Sequence, residues 1–412
     1  MEIKITKFGG SSVRNAQRIK KIYRFFRKIG GKKIIITSAL GKTTNFLESF
    51  IKKSFLNKNI YKVYKNHIKI LYELLPKSNN FFNKIDIFFS DLKIFLKKDK
   101  LKVDFIYDQV ICQGELISTK IISEYLHCIG IENIWLDVRK SISTNKIYRY
   151  GIIDCTKSFS KITRFIIDRL NFTQGFIGSD FNYFTTTLGR EGSDYSSSIF
   201  ASLLEAKSKI ICKEVPGIIN SDPWVFSNSR LLYCLSYEGS VEFSYYGASF
   251  LHTKTLVSIQ KRKIKLHFLS YLMNEKLGTS VRSIKKVIAP NNLPYFFKKN
   301  HILLSFYSID LFFIKNEYIG RIFQYISFSI LRVHLMKNFS LKLTLCIEES
   351  FHFMETFFSF LKKRYKMKFY ERIYFYTIKN FDIFYLGEFT CIINIIYHKI
   401  KNGIVKLAIK TY

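Results

Sequence analysis

The start of the chain alternates between two hydrophobic periodicities. Ile3 and Ile5 follow the two-residue alternation of a β-strand, and the hexapeptide KFGGSS at 7–12 then interrupts the pattern. From Val13 the apolar residues recur at helical spacing until a Gly-Gly pair ends the run, and the apolar stretch 32–40 follows as a buried strand. Strand, glycine loop, helix and strand in this order predict a βαβ unit, and hence a parallel sheet.

The same mixture of helical and strand patterns continues to about Val281. Residues 45–105 and 104–130 have helical spacing, and later apolar runs end in polar loops as strands do. The turn-forming segment APNNLP then separates this α/β region from a β-rich region with single helices. We therefore predict three parts: a large α/β domain, a linker and a smaller βαββ-type region, with the bounds 1–283, 284–298 and 299–412.

Composition places the chain among globular proteins. It has 412 residues, of which 48% are hydrophobic, enough for a sizeable core. Apolar runs of bilayer length are interrupted by charges, and Glu2 and Lys4 stand where a signal peptide needs apolar residues. Seven cysteines without a CxxC pair predict reduced, mostly buried thiols. We expect a cytoplasmic protein with no membrane partner and no protein-held metal.

The formal net charge of +35 has two explanations. A basic protein can bind nucleic acid. Alternatively, the charge reflects genomic composition, because Lys, Ile, Asn, Phe and Tyr are all frequent and all have AT-rich codons. The lysines are spread along the whole chain, whereas a binding face needs clustering. We favour composition and predict no nucleic-acid partner, with a basic nucleic-acid-binding protein kept as an alternative.

The hexapeptide at 7–12 has the composition of a phosphate-binding loop. A loop between a strand and a helix N-terminus presents unpaired N–H groups to an anion, and the helix dipole adds positive charge. Gly9 and Gly10 would let the backbone approach the anion, and Lys7 would place its ammonium group on phosphate oxygens. An ordinary glycine turn stays the alternative, because the segment matches neither the Walker A loop nor GxGxxG.

A second polar segment, TTTLGREGSDYSSS at 185–198, precedes a helix predicted to begin at about Tyr195. Ser193 or Asp194 could simply cap that helix. Capping needs only one such residue, however, and this segment holds a surplus of polar groups. Among them, Arg190 suits a bidentate clamp on a carboxylate.

Glu115 is a third candidate, in the segment QGELIST at 113–119. It is one acid beside a glycine in an otherwise apolar helical stretch. On the pattern alone we interpret it as an ordinary exposed glutamate.

Together these motifs resemble the aspartate kinases of the amino acid kinase superfamily. The segments KFGGSSV, QGELIS and TTTLGREGSDYSS occur in that family's order and spacing, and KEVPGIINSDP, YGASFLHTKTL and GTSV continue the match. The resemblance covers essentially the whole chain. It implies a central, mostly parallel sheet sandwiched by helices, followed by α+β ACT-like modules of βαββαβ type that carry feedback control, and no fused homoserine dehydrogenase domain.

The resemblance also implies a reaction. The family uses ATP and Mg²⁺ to phosphorylate the side-chain carboxylate of L-aspartate, giving 4-phospho-L-aspartate for lysine, threonine and methionine biosynthesis. It implies L-aspartate and MgATP as ligands, and a homodimer formed through the ACT modules. Another enzyme of the superfamily is the nearest alternative function, and substrate choice would depend on Arg190 and Glu115.

The resemblance also implies roles for individual residues of this chain. Lys7 and Asp194 would be catalytic, with Lys7 on the transferring phosphoryl group and Mg²⁺ held mainly by the ATP phosphates. The implied ATP contacts are Lys7, Gly9, Gly10, Ser11, Ser38, Lys213, Glu214, Ile219 and Asp222. The implied substrate contacts are Thr44, Glu115, Arg190 and Ser193.

Three positions depart from the family pattern. Trp224 and Ser249 stand where many members have arginine and lysine, which predicts a weaker or differently arranged ATP contact. Phe339 stands where effector-binding members tend to carry serine, which predicts altered feedback control.

Overall fold

A computed structural model describes most of the chain. The described residues are 2–28, 32–52, 57–76, 79–96, 102–163, 170–221, 223, 229–246, 253–272, 278–284, 295–308, 316–328, 333–348, 365–379, 395–401 and 404–410. They belong to two compact units. The first takes in residues 1–218, 231–244 and 249–289, and the second takes in 219–230, 245–248 and 290–412.

The first unit is built on an eight-stranded sheet. Its strands are β1 (Ile3–Phe8), β2 (Lys32–Thr37), β3 (Asn133–Leu136), β4 (Leu170–Gln174), β7 (Ser208–Lys213), β8 (Cys234–Leu235), β9 (Lys265–Ser270) and β10 (Gly278–Val281), and β5 (Ile177–Ser179) and β6 (Thr185–Thr187) form a separate hairpin. The strand order is β3-β4-β2-β1-β7-β9-β10-β8. All neighbours are parallel except β9 and β10. The predicted mostly parallel sheet is confirmed.

Helices cover both faces of this sheet. They are α1 (Ala16–Lys28), α2 (Thr43–Lys52), α3 (Asn57–Leu74), α4 (Phe81–Leu96), α5 (Val103–Cys128), α6 (Cys155–Ile162), α7 (Gly192–Leu203), α8 (Tyr237–Tyr246) and α9 (Thr253–Gln260). Phe8, Ile35 and Phe172 point from one face into a core shared with α1 to α5. Because strand side chains alternate, Ile5 and Lys7 point to the other face, where α7 packs.

The βαβ unit predicted at the start of the chain is present. Strand β1, helix α1 and strand β2 follow one another, and β1 pairs in parallel with β2 with Ile5 opposite Ile34. Helix α1 buries Ala16, Ile19 and Ile22, the positions that gave its helical spacing.

The second unit holds a six-stranded antiparallel sheet and one described helix. Its elements are β11 (Tyr295–Ser308), α10 (Asn316–Phe328), β12 (Val333–Asn338), β13 (Lys342–Glu348), β14 (Tyr365–Lys379), β15 (Ile395–Lys401) and β16 (Ile404–Lys410). The order is β12-β13-β11-β14-β16-β15. Ile322 and Ile326 of α10 pack on Leu304 and Leu345 of the sheet. A β-rich region with helices was predicted here.

Three further predictions concerned the linker, the cysteines and membrane-spanning helices. The segment APNNLP lies outside the described residues, and β11 begins at Tyr295, so the last four residues of the predicted linker are strand. Of six described cysteines, none forms a disulfide, and three are buried, namely Cys112, Cys212 and Cys346. No helix of the described part has the length and apolar character needed to cross a membrane.

Candidate functional site

The candidate site lies where four parallel strands end. Strands β1, β2, β4 and β7 are neighbours in the sheet, so the loops that follow them meet at one edge. Backbone hydrogen bonds join these loops: the Ser38 N–H donates to the Phe8 carbonyl at 3.1 Å, and the Gly175 N–H donates to the Thr37 carbonyl at 3.1 Å. The KFGGSS segment is therefore hydrogen-bonded to the neighbouring loops at the edge of the sheet and is not an isolated turn.

Lys7, near the end of β1, forms a buried ion pair with Asp194 of α7. Its Nζ lies 2.6 Å from Oδ1 of Asp194, and the two side chains are 10% and 9% exposed. Burial works to raise the pKa of the Asp194 carboxyl, but three nearby ammonium groups outweigh it and hold that pKa below its ordinary value. These groups belong to Lys7, Lys209 and Lys213. Asp194 is therefore an ionised partner for Lys7.

The glycine loop is tight on one side and open on the other. A Cβ added to Gly10 would lie 2.6 Å from the Ala39 carbonyl oxygen, so only glycine fits there. Among the described residues, a Cβ added to Gly9 would meet only the Lys7 ammonium within 4 Å, at 3.8 Å. The space beside Gly9 and Lys7 is thus free for an anion to approach the backbone, which is the property expected of a phosphate loop. Ser11 is exposed at the same loop.

Helix α7 begins earlier than the sequence indicated. It starts at Gly192, after Glu191 in the left-handed conformation (φ 56°), and Glu191 makes no capping hydrogen bond with its side chain. Ser193 and Asp194 therefore lie inside the first turn, and neither is the N-cap residue. The capping interpretation was wrong, because the left-handed residue ends the loop and leaves both side chains free to point into the site.

Ser193 connects α7 to two strand ends. The Ser38 hydroxyl donates to the Ser193 hydroxyl at 3.0 Å. A Cβ on Gly175, just after β4, would lie 2.7 Å from the Ser193 Cβ, so glycine is needed for this approach. The first turn of α7 is thus held at the edge of the sheet by β2 and β4 together.

Glu115 is buried in α5, only 2% exposed. Its interpretation as an exposed glutamate was wrong, because the preceding Gly114 lets α2 approach: a Cβ on Gly114 would lie 2.8 Å from Thr43 Cγ2. Burial raises the pKa of the Glu115 carboxyl to about 8, and the Lys7 charge and a hydrogen bond from the Ala39 backbone oppose this rise only partly. Thr44, half-buried, stands in the first turn of α2.

The other residues named in the sequence analysis do not all lie in the same part of the described chain. Lys213 ends β7, and Glu214 after it pairs with Arg18 of α1 at 3.1 Å. Ile219 belongs to the second unit, and Asp222, Trp224 and Ser249 lie outside the described residues.

Arg190 lies exposed just before α7, and among the described residues it has no ion-pair partner. The structure thus brings together Lys7, Gly9, Gly10, Ser38, Glu115, Ser193 and Asp194 as one cluster.

Comparison with known proteins identifies the family. The family model described as the amino acid kinase family matches residues 2–270, which is more than half of the chain. The chain belongs to the amino acid kinase family. Lysine-sensitive aspartokinase 3 of Escherichia coli is 26% identical over 317 residues, which cover 75% of this chain and 70% of that protein. A bifunctional aspartokinase/homoserine dehydrogenase of Arabidopsis thaliana is 27% identical over 277 residues, but the chain spans only 30% of its length.

Solved structures of this family share the fold. A crystal structure of E. coli aspartokinase III in complex with aspartate and ADP superposes with a TM-score of 0.81 at 21% identity, covering 99% of this chain and 96% of that one. Clostridium acetobutylicum aspartate kinase gives a TM-score of 0.76 at 20% identity, with 99% and 96% covered. The predicted α/β sheet with a following antiparallel module is confirmed as this family's fold.

Sequence reasoning missed two buried, hydrogen-bonded charged residues of the first unit, of which Lys209 contacts the candidate site. Lys209 of β7 is fully buried beside Asp194. Asp108 of α5 accepts hydrogen bonds from the Thr187 N–H and hydroxyl and from the Arg149 N–H, and burial raises its pKa to about 6. Each is a charged residue next to a run of apolar residues in its helix or strand, and that was the available signal.

Proposed function

We propose that the chain transfers the γ-phosphoryl group of ATP to the side-chain carboxylate of L-aspartate. The observation that carries the proposal is the buried Lys7–Asp194 ion pair beside an open glycine loop, at the carboxyl edge of a parallel sheet. The aspartokinase names of its relatives and the aspartate and ADP bound to the E. coli protein support this choice of substrates.

The acceptor in this reaction is already an anion, so the site needs no strong base. Catalysis is then positioning plus neutralisation of the charge on the transferring phosphoryl group. Lys7 supplies that charge from the end of β1. Asp194 stays ionised and, at 2.6 Å, holds the ammonium group of Lys7 in one place. Holding it beforehand removes the cost of reorganising it during the reaction.

The charges of aspartate find complementary groups in the chain. Arg190, exposed and without an ion-pair partner among the described residues, binds the α-carboxylate in a bidentate manner. Glu115 receives the α-ammonium group. An incoming cation favours the ionised carboxylate, so substrate binding drives Glu115 to release the proton that burial holds there. Thr44 and Ser193 provide further polar contacts.

The residues at the edge also suit a nucleotide. Gly9, Gly10 and Ser11 offer backbone and hydroxyl groups to phosphate oxygens, with Ser38 behind them. Lys213 and Glu214, at the end of β7, contact the base and ribose. The described residues contain no group of three or more His, Cys, Asp or Glu side chains that could hold a metal ion. In this proposal Mg²⁺ is bound mainly through the phosphates of ATP, where it adds charge neutralisation.

A hydroxylamine trap tests the proposal. The purified chain is incubated with ATP, Mg²⁺ and either L-aspartate or L-glutamate, and the acyl phosphate is converted into a coloured hydroxamate. We expect hydroxamate with aspartate and much less with glutamate. Absence of product with aspartate would refute the assignment, and product with glutamate alone would indicate a different kinase of the family.

Two lysines of β1 give a matched control. Lys7→Met should lose nearly all turnover, because it removes the charge that faces the phosphoryl group. Lys4→Met changes the same residue type on the same strand, but on the opposite face of the sheet, since side chains alternate. We expect Lys4→Met to keep its activity.

The α/β domain over 1–283 carries catalysis, and the region over 299–412 is a pair of ACT-like modules through which two chains form a homodimer in the cytoplasm. The antiparallel sheet with a helix packed on one face supports this module type. Light scattering after size-exclusion chromatography should give about twice the 48.7 kDa mass of the chain, and a monomer mass would contradict the dimer.

A further inference from the structure

Lys209 is a charged side chain in a position where strands carry apolar residues. It lies on β7 opposite Ile5 of β1 and Leu266 of β9, in the middle of the sheet, and it is 0% exposed. A buried lysine is costly unless its ammonium group is hydrogen-bonded or paired. A lysine at this buried position therefore requires contacts that stabilise its ammonium group.

Two contacts tie Lys209 to the first turns of α7. Its Nζ donates to the backbone carbonyl of Asp194 at 2.7 Å and to the Ser198 hydroxyl at 2.6 Å. The same carbonyl accepts from the Ser197 hydroxyl at 2.8 Å. Lys209 thus fixes the backbone of the residue whose side chain holds Lys7, without itself lying in the open part of the site.

The charges around Lys209 make its protonation responsive to a bound anion. Lys7 from β1, Asp194 from α7 and Lys213 from β7 share its face, and Glu191 lies near Lys213. Strand β9 offers only apolar or hydroxyl side chains on this face, since His267 stands opposite Ile210 and points the other way.

Burial is the main cause that lowers the pKa of Lys209, to about 7; the Lys7 charge lowers it further, and Asp194 partly opposes both. The side chain is therefore near its point of charge change at neutral pH. A polyphosphate placed beside Lys7 adds negative charge close by, which favours the protonated form.

We propose that Lys209 is a positioning residue of the nucleotide site: it takes up a proton from solvent when the polyphosphate binds, and the resulting ammonium group fixes the first turn of α7 and holds Asp194 against Lys7. One N–H bond forms and the site gains one positive charge. This inference rests on the proposed function, because it needs a nucleotide beside Lys7.

Calorimetry of MgADP binding measures directly how many protons the protein takes up. Binding enthalpies are determined at pH 8 in buffers of different ionisation enthalpy, and their slope gives the number of protons taken up. MgADP has no γ-phosphoryl group, so turnover does not interfere. For the wild-type chain we expect uptake on the order of half to one proton per nucleotide. Binding without net uptake would overturn the inference and leave the proposed function standing.

Substitutions show which residue takes up the proton. Lys209→Met should lose most of the uptake, and its MgADP affinity relative to wild type should change by about tenfold or more between pH 6.5 and 8.5. Glu115 also titrates near pH 8. It is present both in the wild-type protein and in Lys209→Met, so the difference in proton uptake between these two proteins is due to Lys209. Lys207→Met is the matched control, because Lys207 pairs with Glu2 on the surface just before β7. It should keep the uptake.

Ser198→Ala keeps the test decisive even where Lys209→Met does not fold. Removing one acceptor from the ammonium group disfavours its charged form, so the pH of maximal uptake should shift downward. Full uptake in Lys209→Met, or an unchanged maximum in Ser198→Ala, would contradict the role of Lys209. Failure of the wild-type chain to bind MgADP would overturn the proposed nucleotide site together with this inference.

Discussion

Replacing both partners of the Lys7–Asp194 pair separates catalysis from structural support. At 2.6 Å and an effective dielectric constant of about 20, two unit charges attract by about 6 kcal/mol, although desolvation offsets much of this. Removing one partner of such a buried pair typically costs about 3–5 kcal/mol of stability. Lys209 and Lys213 still stand near Asp194, so we expect Lys7→Met to fall near the lower end, at about 3 kcal/mol.

The double variant Lys7→Met/Asp194→Asn removes the unpaired charge as well. Stability should recover most of that loss, because no buried carboxylate is left without its ammonium partner. Activity should not recover, because the group that faces the phosphoryl is still absent. Loss of one such group typically lowers kcat by about 10²–10³-fold.

Two measurements decide the matter on the same four chains: wild type, both single variants and the double variant. Urea unfolding followed by circular dichroism gives stability, and hydroxamate formation gives kcat at saturating ATP and aspartate. If kcat returns to within about tenfold of wild type as stability returns, Lys7 acts only through the fold and the reasoning fails.

Four further outcomes are expected for residues described above. Gly10→Ala should cost about 1–3 kcal/mol in urea unfolding because its Cβ meets a carbonyl at 2.6 Å, whereas Gly9→Ala should be nearly neutral, and equal effects would contradict the loop geometry. The folded chain keeps a proton on Glu115 up to about pH 8, while the unfolded chain releases it near pH 4.5, so stability should fall as pH rises between these values. Urea unfolding of Glu115→Gln at pH 5 and 9 should show this fall removed, and an unchanged slope would argue against it. Arg190→Ala should raise the KM for aspartate about 10- to 100-fold with a smaller change in kcat, and an unaltered KM would refute the clamp. Asp108→Asn, which loses acceptor capacity for three hydrogen bonds, should lower stability by about 1–3 kcal/mol in thermal melts while the KM for aspartate stays unchanged; a wild-type melting curve would contradict this.

Local patterns carried much of the fold. The alternation in β1, the helical spacing of α1 and the apolar run of β2 predicted a βαβ unit, and a parallel pair formed there. Periodicity succeeds because each element must bury one face regardless of its neighbours. The order of strands was not predictable in this way, since β1 pairs with β7, some 200 residues later, through contacts that no local pattern records.

The start of α7 shows a different limit. The polar segment before Tyr195 was interpreted as loop, yet the helix begins at Gly192. A single left-handed residue, Glu191, decides where the loop ends. Glutamate gives no local signal for that conformation, so tertiary contacts must select it.

The sequence by itself determined which chemical groups this protein carries: a lysine and two glycines at the end of a strand, and an arginine and an aspartate around the start of a helix. Residue type and spacing along the chain suffice for that. Only the tertiary structure decided which of these groups are buried and paired. Glu115 became a desolvated carboxyl because Gly114 admits α2, and Lys209 came to support Asp194 because β7 lies beside β1. Desolvation and charge pairing depend on distances between distant segments, and these exist only in the folded chain.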